Sequence, residues 1–313
     1  MDVLIQVVLL VVGFVMLIKG ADWFVEGASK IADKFGIPQL VIGLTIVAMG
    51  TSAPEAAVSI TSALKGSAEI TIGNVLGSNI LNILIILGLT AVVRSIAVQA
   101  STMKYEIPFT IIISILLGAL GLADGTISRL EGVILWAAFI VYMIYLVKMA
   151  KSGQNVVEEV EEAKENESIW KLIILVIIGV VLIVWGSDIS VDAATALAKI
   201  FGMSERLIGL TIVALGTSLP ELVTSVTAAI KGKADIAVGN IVGSNIFNIL
   251  FVVGTTALIT PVAYSANFMV DTIVAVAAIV LLLVCVLPKK KLTRPAGILM
   301  LVCYVGYFVY LIQ

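Results

Sequence analysis

Ten apolar runs dominate the sequence, and each is close to the length that crosses a lipid bilayer as a helix. A transmembrane helix needs about 20 predominantly apolar residues. Because backbone groups must satisfy one another inside a membrane, runs of this kind predict an all-α integral membrane protein with ten transmembrane helices. The runs lie at 3–32, 39–64, 70–93, 105–122, 129–149, 169–198, 206–230, 236–259, 268–287 and 295–312.

The composition agrees with a chain that has a lipid bilayer as its partner. Of the 313 residues, 60% are hydrophobic and 13% are charged, whereas soluble domains carry about 25% charged residues. The net charge of −2 gives no basic surface, so nucleic acid is not an expected partner. The chain has no histidine, and Cys285 and Cys303 both lie inside apolar runs. A zinc site, a disulfide framework and histidine-based acid–base chemistry are therefore not expected.

The sequence also contains an internal duplication. When the chain is shifted by 166 residues, residues 43–88 align with residues 209–254 without a gap, and 28 of 46 positions are identical. The motifs GLTIVA-x-GTS-x-PE and GN-x-x-GSNI-x-NIL recur at fixed spacing. Each half contains five runs, an odd number, so the second half must enter the membrane in the opposite direction. We predict two inverted five-helix repeats, at 1–150 and 169–313, as in many secondary transporters.

The polar stretch between the halves, 151–168, is predicted to be a solvated acidic linker. A regulatory cation-binding segment is the alternative. If the N-terminus is outside, 14 Lys and Arg residues collect on the inner side and four remain on the outer side. This asymmetry predicts that both termini lie outside and that the linker is cytoplasmic. The acidic residues of the linker are Glu158, Glu159, Glu161, Glu162, Glu165 and Glu167.

Polar residues interrupt the second and seventh runs at matching positions. Pro54 lacks an N–H and crowds the carbonyl four residues back, so the helix should break there and free the carbonyl oxygens of residues 48–51. Bare carbonyls at membrane depth persist only where they line a cavity or meet a ligand. A glutamate directly follows each proline. The polar positions are Thr51, Ser52, Pro54, Glu55 and Ser59, with Thr217, Ser218, Pro220, Glu221 and Ser225 as their mates.

The third and eighth runs carry a second polar set. Ser78 and Asn82 are one turn apart and share a helix face. Asn74 and Asn240 could line the site or tether the broken helix. Asn79 and Asn245 could face the site or only pack the helices. The set is Asn74, Ser78, Asn79 and Asn82, mirrored by Asn240, Ser244, Asn245 and Asn248.

Glu55 and Glu221 need a counter-charge. A carboxylate at the bilayer centre costs at least about 2.5–3.5 kcal/mol unless it is paired or neutralised. Neither motif contains Lys or Arg inside the membrane, so a cation must come from outside the chain. Two carboxylates with Asn, Ser and carbonyl oxygens make a site of roughly 6–8 oxygen ligands, which suits Ca²⁺ and can take Na⁺. The alternative is that both carboxyl groups are protonated and only hydrogen-bonded.

These motifs resemble those of the cation/calcium exchanger superfamily, in particular the prokaryotic sodium/calcium exchangers, whose two alpha-repeats carry GTS-x-PE and GN-x-x-GSN. The resemblance covers the whole chain. It implies a non-enzymatic antiporter of the cell membrane that exchanges Na⁺ for Ca²⁺ and needs no cofactor. It also implies eight core helices and a tilted pair, here the first and sixth, that slides across them to alternate access. It leaves the oligomeric state open.

The resemblance further implies roles for individual residues. Glu55 and Glu221 would bridge the ions, and the carbonyls of Thr51 and Thr217 would complete the Ca²⁺ site. Flanking Na⁺ sites, which share the two glutamates, would add the Ala48 carbonyl, Ser52 and Ser244 on one side, and the Ala214 carbonyl, Ser218 and Ser78 on the other. Asn82 and Asn248 would occupy the central position.

One position departs from part of the family. Some archaeal exchangers and the potassium-dependent branch look to have Asp at the position of Asn248. This chain has Asn there, so potassium coupling is not expected. The GN-x-x-E signature of the calcium/proton branch is absent from the second run. Ca²⁺/H⁺ exchange, with Glu55 and Glu221 carrying protons, is nevertheless the main alternative. A passive cation channel and an intramembrane hydrolase are further alternatives, although the hydrolase would lack a nucleophile–histidine pair.

Overall fold

The computed structural model describes residues 3–68, 70–157, 168–202 and 214–312, and most of them are helical. The helices are α1 (Val3–Phe35), α2 (Gln39–Thr51), α3 (Ala53–Leu64), α4 (Ile70–Val93), α5 (Thr102–Asp124), α6 (Arg129–Val157), α7 (Ile169–Ile200), α8 (Ala214–Gly216), α9 (Leu219–Ile230), α10 (Ala234–Ile259), α11 (Phe268–Val286) and α12 (Arg294–Ile312). Four two-residue strands are β1 (Ile96–Ala97), β2 (Thr126–Ile127), β3 (Val262–Ala263) and β4 (Lys291–Leu292).

The predicted membrane-spanning character is confirmed for most of the runs. Among the described residues, eight helices are long and apolar enough to cross a membrane: α1, α4, α5, α6, α7, α10, α11 and α12. Helices α2 and α3 together form a bent span, with an angle of 49° between them. The predicted run 206–230 ends in the twelve-residue apolar helix α9, but most of its first part lies outside the described residues. The number ten therefore stays a prediction.

Two long helices, α1 and α7, pack against each other and run antiparallel. They contain 33 and 32 residues, as their apolar runs predict. Gly13 lies opposite Gly186, and Gly20 lies opposite Gly179. A Cβ added at any of the four would come within 2.9 Å of a backbone carbonyl oxygen of the partner helix. Glycine at these four positions permits the close approach of the two backbones.

Helices α4 and α10 form the centre of the protein. The most apolar stretch of α10 is 94% buried and that of α4 is 78% buried, against 22% for α1 and 28% for α7. Both central helices contain a π-helical segment, Asn82–Leu87 and Asn248–Val253, at the same place in the two halves. The core therefore lies around the second polar motif of each half, and the long pair lies at the periphery.

The ends of the helices meet in two groups. Strand β1 pairs with β4, and β2 pairs with β3, both antiparallel. Arg94 donates to the carbonyl oxygen of Ile230 at 2.7 Å, at the end of α9. Arg129 donates to the carbonyl oxygen of Ile259 at 3.2 Å, at the end of α10. In every case the two partners are chain segments that the charge distribution predicts to lie on the same side of the membrane.

The structure differs from the prediction at the start of the linker. Helix α6 continues to Val157, past the predicted repeat boundary at residue 150. The acidic tract at 158–167 lies outside the described residues, so its solvated state stays a prediction.

Candidate ion-binding site between the two halves

A helix break places the two glutamates. Ser52 has non-helical dihedral angles, φ −82° and ψ 7°, and Ser218 has nearly the same values, φ −92° and ψ 4°. The prolines are the second residues of α3 and α9. An N–H at this position has no partner within the helix, so proline loses no helical hydrogen bond there. Glu55 and Glu221 therefore stand in the first turn of a helix, where the helix dipole favours negative charge. The predicted break is confirmed and lies two residues before each proline.

The carbonyl oxygen of Ala48 is not bare, in contrast to the prediction from Pro54. It accepts the N–H of Ser52 at 3.0 Å and the hydroxyl of Ser244 at 3.4 Å, and the Thr51 hydroxyl oxygen lies 3.3 Å away. The break is local, so a turn of backbone hydrogen bonding continues through it. The two hydroxyl contacts are long for O–H···O bonds, and a cation could replace them at little cost.

The two carboxylates are fully buried and are held by hydroxyls. Ser52 Oγ, in the first half, donates to Glu221 Oε1 in the second half at 2.8 Å. Ser78 Oγ donates to Glu55 Oε1 at 3.4 Å and also lies 3.4 Å from Ser218 Oγ. The Oε2 atom of each glutamate has no hydrogen-bond partner, and no ion pair to either glutamate is found within the described ranges.

Asn74 and Asn240 tether the broken helices. Asn74 Nδ2 donates to the Glu55 carbonyl oxygen at 3.2 Å and to Ser59 Oγ at 3.0 Å. Asn240 Nδ2 makes the equivalent bonds to the Glu221 carbonyl oxygen at 3.4 Å and to Ser225 Oγ at 2.9 Å. The sequence left two roles open for Asn74 and Asn240, and these hydrogen bonds show that both residues tether the broken helices.

Four further asparagines join α4 to α10. Asn79 and Asn245 each donate to the backbone carbonyl of the other, at 3.3 and 3.2 Å. Asn82 Nδ2 donates to Asn245 Oδ1 at 2.9 Å, and Asn248 Nδ2 donates to Asn79 Oδ1 at 3.1 Å. The Oδ1 atoms of Asn82 and Asn248 are buried without a partner. The network has the same twofold relationship as the sequence repeat.

Among the described residues, the site thus presents four buried oxygens without a partner, two from each half: Glu55 Oε2, Glu221 Oε2, Asn82 Oδ1 and Asn248 Oδ1. Buried polar atoms without a partner are rare and call for an explanation, and a bound ion is one. In the part of the chain that the structure describes, no three His, Cys, Asp or Glu residues cluster as a metal site. Carboxylate, amide and hydroxyl oxygens are the ligands of hard cations.

The remaining predicted ligands divide into two groups. Thr51 is buried, and its hydroxyl donates to Asn240 Oδ1 at 2.9 Å. Thr217, its mate, is half-buried and has no corresponding bond to Asn74 among the described residues. Ala214 is the first residue of α8, and residues 203–213 before it lie outside the description. The structure therefore brings together the Ala48, Ser52 and Ser244 set around Glu221, and Ser78 with Ser218 near Glu55.

Helix α2 packs closely against one flank of the site. Gly239 of α10 lies against α2, where an added Cβ would be 3.0 Å from Gly43 Cα, and at Gly243 it would be 2.8 Å from the Leu44 carbonyl oxygen. The segment equivalent to α2 in the second half, 205–217, lies mostly outside the described residues. Helix α2 therefore covers the flank of the site on the side of Gly239 and Gly243.

A further buried carboxylate, Glu106, was not expected from the sequence. It is 1% exposed, accepts a hydrogen bond from the Tyr145 hydroxyl, and has a second oxygen without a partner among the described residues. It lies at the start of an apolar run, where a carboxylate is usually interfacial. Its tyrosine partner comes from another helix, so no local signal could have found the pair.

A multi-pass helical membrane protein with a buried, all-oxygen site between two related halves belongs to the class of cation transporters. The family model described as sodium/calcium exchanger protein matches residues 5–148 and 171–313, and the chain belongs to this family. It is accordingly a transporter of the cation-antiporter kind and not an enzyme.

Individual proteins support this assignment over nearly the whole chain. The putative antiporter CaxA of Alkalimonas amylolytica is 42% identical over 312 residues, which cover 97% of this chain and 98% of that protein. The sodium/calcium exchanger MaX1 of Methanosarcina acetivorans is 31% identical over 344 aligned residues, covering 98% of each. A solved structure of the sodium-calcium exchanger NCX_Mj, soaked with zero Na⁺ and Ca²⁺, superposes with a TM-score of 0.86 at 33% identity, covering 99% of this chain and 100% of that chain.

Proposed function

We propose that the protein is a secondary antiporter that exchanges Na⁺ for Ca²⁺ across the cell membrane by alternating access and extrudes Ca²⁺. The observation that carries the proposal is the set of four buried, unpartnered oxygens on Glu55, Glu221, Asn82 and Asn248. Two of these atoms belong to carboxylates that have no cationic side chain beside them among the described residues. A divalent cation neutralises both carboxylates at once, and hard cations prefer oxygen ligands.

The proposed ligands follow the two halves. Ca²⁺ would lie between Glu55 and Glu221, with the carbonyls of Thr51 and Thr217. One Na⁺ would bind beside Glu221, with the Ala48 carbonyl, Ser52 and Ser244; this set is already linked by hydrogen bonds. A second Na⁺ would bind beside Glu55, with the Ala214 carbonyl, Ser78 and Ser218. Asn82 and Asn248 would supply the central oxygens.

Two inverted repeats of five helices, 1–150 and 169–313, joined by the cytoplasmic linker 151–168, would give the site its two exits. The antiparallel packing of α1 against α7 supports this arrangement, because each is the first helix of its half. So do the reciprocal bonds between Asn79 and Asn245, which are equivalent residues. Such a twofold plan lets one site alternate between two exits.

The packing of α2 supports closure on one side of the site. The flank that α2 covers leads to the end of α9 at Lys231. In this structure the site would therefore be closed toward the Lys231 side. With both termini outside, as the charge distribution predicts, the Lys231 side is the inner one.

Ca²⁺/H⁺ exchange is the second candidate, since the same two glutamates could carry protons. No hydrogen bond to another carboxylate holds a shared proton on Glu55 or Glu221 within the described residues; hydroxyls donate to both. The GN-x-x-E signature of the calcium/proton branch is absent from the second run, and this absence favours Na⁺ as the counter-ion.

Radiolabelled Ca²⁺ uptake into proteoliposomes tests the proposal. Vesicles loaded with Na⁺ should take up Ca²⁺, and vesicles loaded with an impermeant organic cation should not. The pH is held equal on both sides in one arm, and a pH gradient replaces the Na⁺ gradient in the other. Uptake that follows the pH gradient and ignores Na⁺ would contradict Na⁺ coupling, and uptake without any counter-ion would indicate a channel.

A further inference from the structure

We infer that Asn79 and Asn245 are positioning residues that decide which atom of the central carboxamides faces a bound cation. Asn79 Nδ2 donates to the backbone carbonyl oxygen of Asn245 at 3.3 Å, and Asn245 Nδ2 donates to that of Asn79 at 3.2 Å. A backbone carbonyl can only accept a hydrogen bond. These two contacts therefore fix which end of each side chain is the nitrogen.

The orientation passes on to the next carboxamide. Since the nitrogen of Asn79 is committed to a carbonyl, its Oδ1 is the atom that faces Asn248, at 3.1 Å. The facing atom of Asn248 must then be a donor, Nδ2, and its Oδ1 must point the other way. Asn245 orients Asn82 in the same manner, at 2.9 Å. Two backbone carbonyls thus set the orientation of four carboxamides.

The consequence lies at the proposed site. The Oδ1 atoms of Asn82 and Asn248 are buried and unpartnered, so they are available as ligands. A carboxamide rotated by half a turn would present an NH₂ group instead, and this group repels a cation. The inference rests on the proposed function, because it takes these two oxygens to face the transported ion. Asn79 and Asn245 themselves need not touch the ion.

A double-mutant cycle on Ca²⁺ binding separates positioning from packing. Asn79→Leu removes the orienting amide with little change in side-chain volume, and Asn248→Ala removes the oriented group. Equilibrium binding of radiolabelled Ca²⁺ is measured on the purified full chain. We expect Asn79→Leu to weaken binding about tenfold in the wild-type background, the upper range for one hydrogen bond, and to cause no further loss in the Asn248→Ala background. Equal losses in both backgrounds would overturn the inference.

The chain offers a matched control. Asn82 is oriented by Asn245, so Asn79→Leu should weaken binding nearly as much in the Asn82→Ala background as in the wild type. The mirror cycle reverses these expectations: Asn245→Leu should couple to Asn82→Ala and not to Asn248→Ala. If Asn79→Leu does not yield a monodisperse protein, the mirror cycle tests the same rule. Coupling of equal size to both central asparagines would contradict it.

The proposed function and the positioning role of Asn79 and Asn245 can be tested separately. If Glu55→Gln binds Ca²⁺ as the wild type does, the site assignment is wrong whatever the asparagine cycles give. If Glu55→Gln abolishes binding and the asparagine cycles are additive, only the positioning role is wrong.

Discussion

Lys231 Nζ lies 2.7 Å from Asp22 Oδ1 and donates a hydrogen bond to the Asp22 carbonyl oxygen at 2.9 Å. This contact ties the end of α9 to the middle of α1, and Glu26 Oε2 lies 3.7 Å from the same nitrogen. The equivalent residues in the other half are Lys65, Asp188 and Asp192, each shifted by 166 positions. Among the described residues, no ion pair joins Lys65 to either aspartate. The ion pair is therefore present only at the end where α2 covers the site.

Removing this contact should shift the balance between the two access states. Lys231→Gln should lower the apparent KM for Ca²⁺ on the Lys231 face and raise it on the opposite face, by up to about fivefold, since partly exposed ion pairs contribute about 0.2–1 kcal/mol. Uptake into vesicles of defined orientation measures both faces. Lys65→Gln is the matched variant and should shift both values in the opposite direction. Shifts of the same sign in the two variants would refute this account of the ion pair.

Each glutamate of the site should be indispensable. Glu55→Gln and Glu221→Gln should each abolish exchange while the protein still folds, because a divalent ion then lacks one of its two counter-charges in a low-dielectric interior. Glu106→Gln is a matched control, since it neutralises a buried carboxylate outside the site and keeps an acceptor for the Tyr145 hydroxyl. Radiolabelled Ca²⁺ flux in proteoliposomes gives the comparison. Near-normal flux in either site variant would show that the assignment is wrong.

The charge at the central position should tune selectivity. Asn248→Asp places a third ionisable group beside Glu55 and Glu221, so Ca²⁺ flux should fall more steeply on acidification and the preference between Na⁺ and Ca²⁺ should change. Folding should be retained, because aspartate has nearly the same volume as asparagine and, when protonated, can still donate to Asn79 Oδ1. Flux is measured across a pH series and with Na⁺ as competitor. A variant with the wild-type pH profile and selectivity would mean that Asn248 does not face the ions.

Exchange should move net charge. With two ionised carboxylates and neutral Asn82 and Asn248, one bound Ca²⁺ balances the site, as would two Na⁺; three Na⁺ leave it at +1. The family resemblance favours three. We therefore expect an inside-positive potential to accelerate Ca²⁺ uptake driven by internal Na⁺, since each cycle expels one surplus positive charge. Valinomycin and K⁺ set the potential, and a reversal potential fixes the stoichiometry. Exchange of two Na⁺ per Ca²⁺ is electroneutral and has no reversal potential, so a net flux whose direction does not change with the potential would exclude this prediction.

Local sequence was sufficient for the features that depend on one helix. The lengths of α1 and α7 follow from unbroken apolar runs, and the break at Ser52 follows from Pro54 within an apolar run. The duplication also indicated which positions would be equivalent, and Asn74 and Asn240 do make equivalent hydrogen bonds. In each case the cause lies within a few residues of the effect.

Features that depend on how the halves meet could not be predicted. Nothing near Ser52 indicates that it donates to Glu221, 169 positions away. The unequal exposure of Gly73 and Gly239 likewise could not be predicted, because their surroundings in the sequence are nearly identical. The family resemblance placed the Ala48 carbonyl and Ser244 in one ligand set, but nothing near Ala48 in the sequence indicates that the Ser244 hydroxyl donates to this carbonyl. Tertiary contact between distant segments decides all three.

Competition between Na⁺ and Ca²⁺ at equilibrium tests the central claim most directly. Radiolabelled Ca²⁺ is bound to the purified chain at saturation and displaced by increasing Na⁺ at constant pH and ionic strength. We expect one Ca²⁺ per chain, complete displacement by Na⁺ with a Hill coefficient above one, and no binding in Glu55→Gln or Glu221→Gln. Ca²⁺ that stays bound at saturating Na⁺, or that binds equally well without these glutamates, would contradict a single shared site.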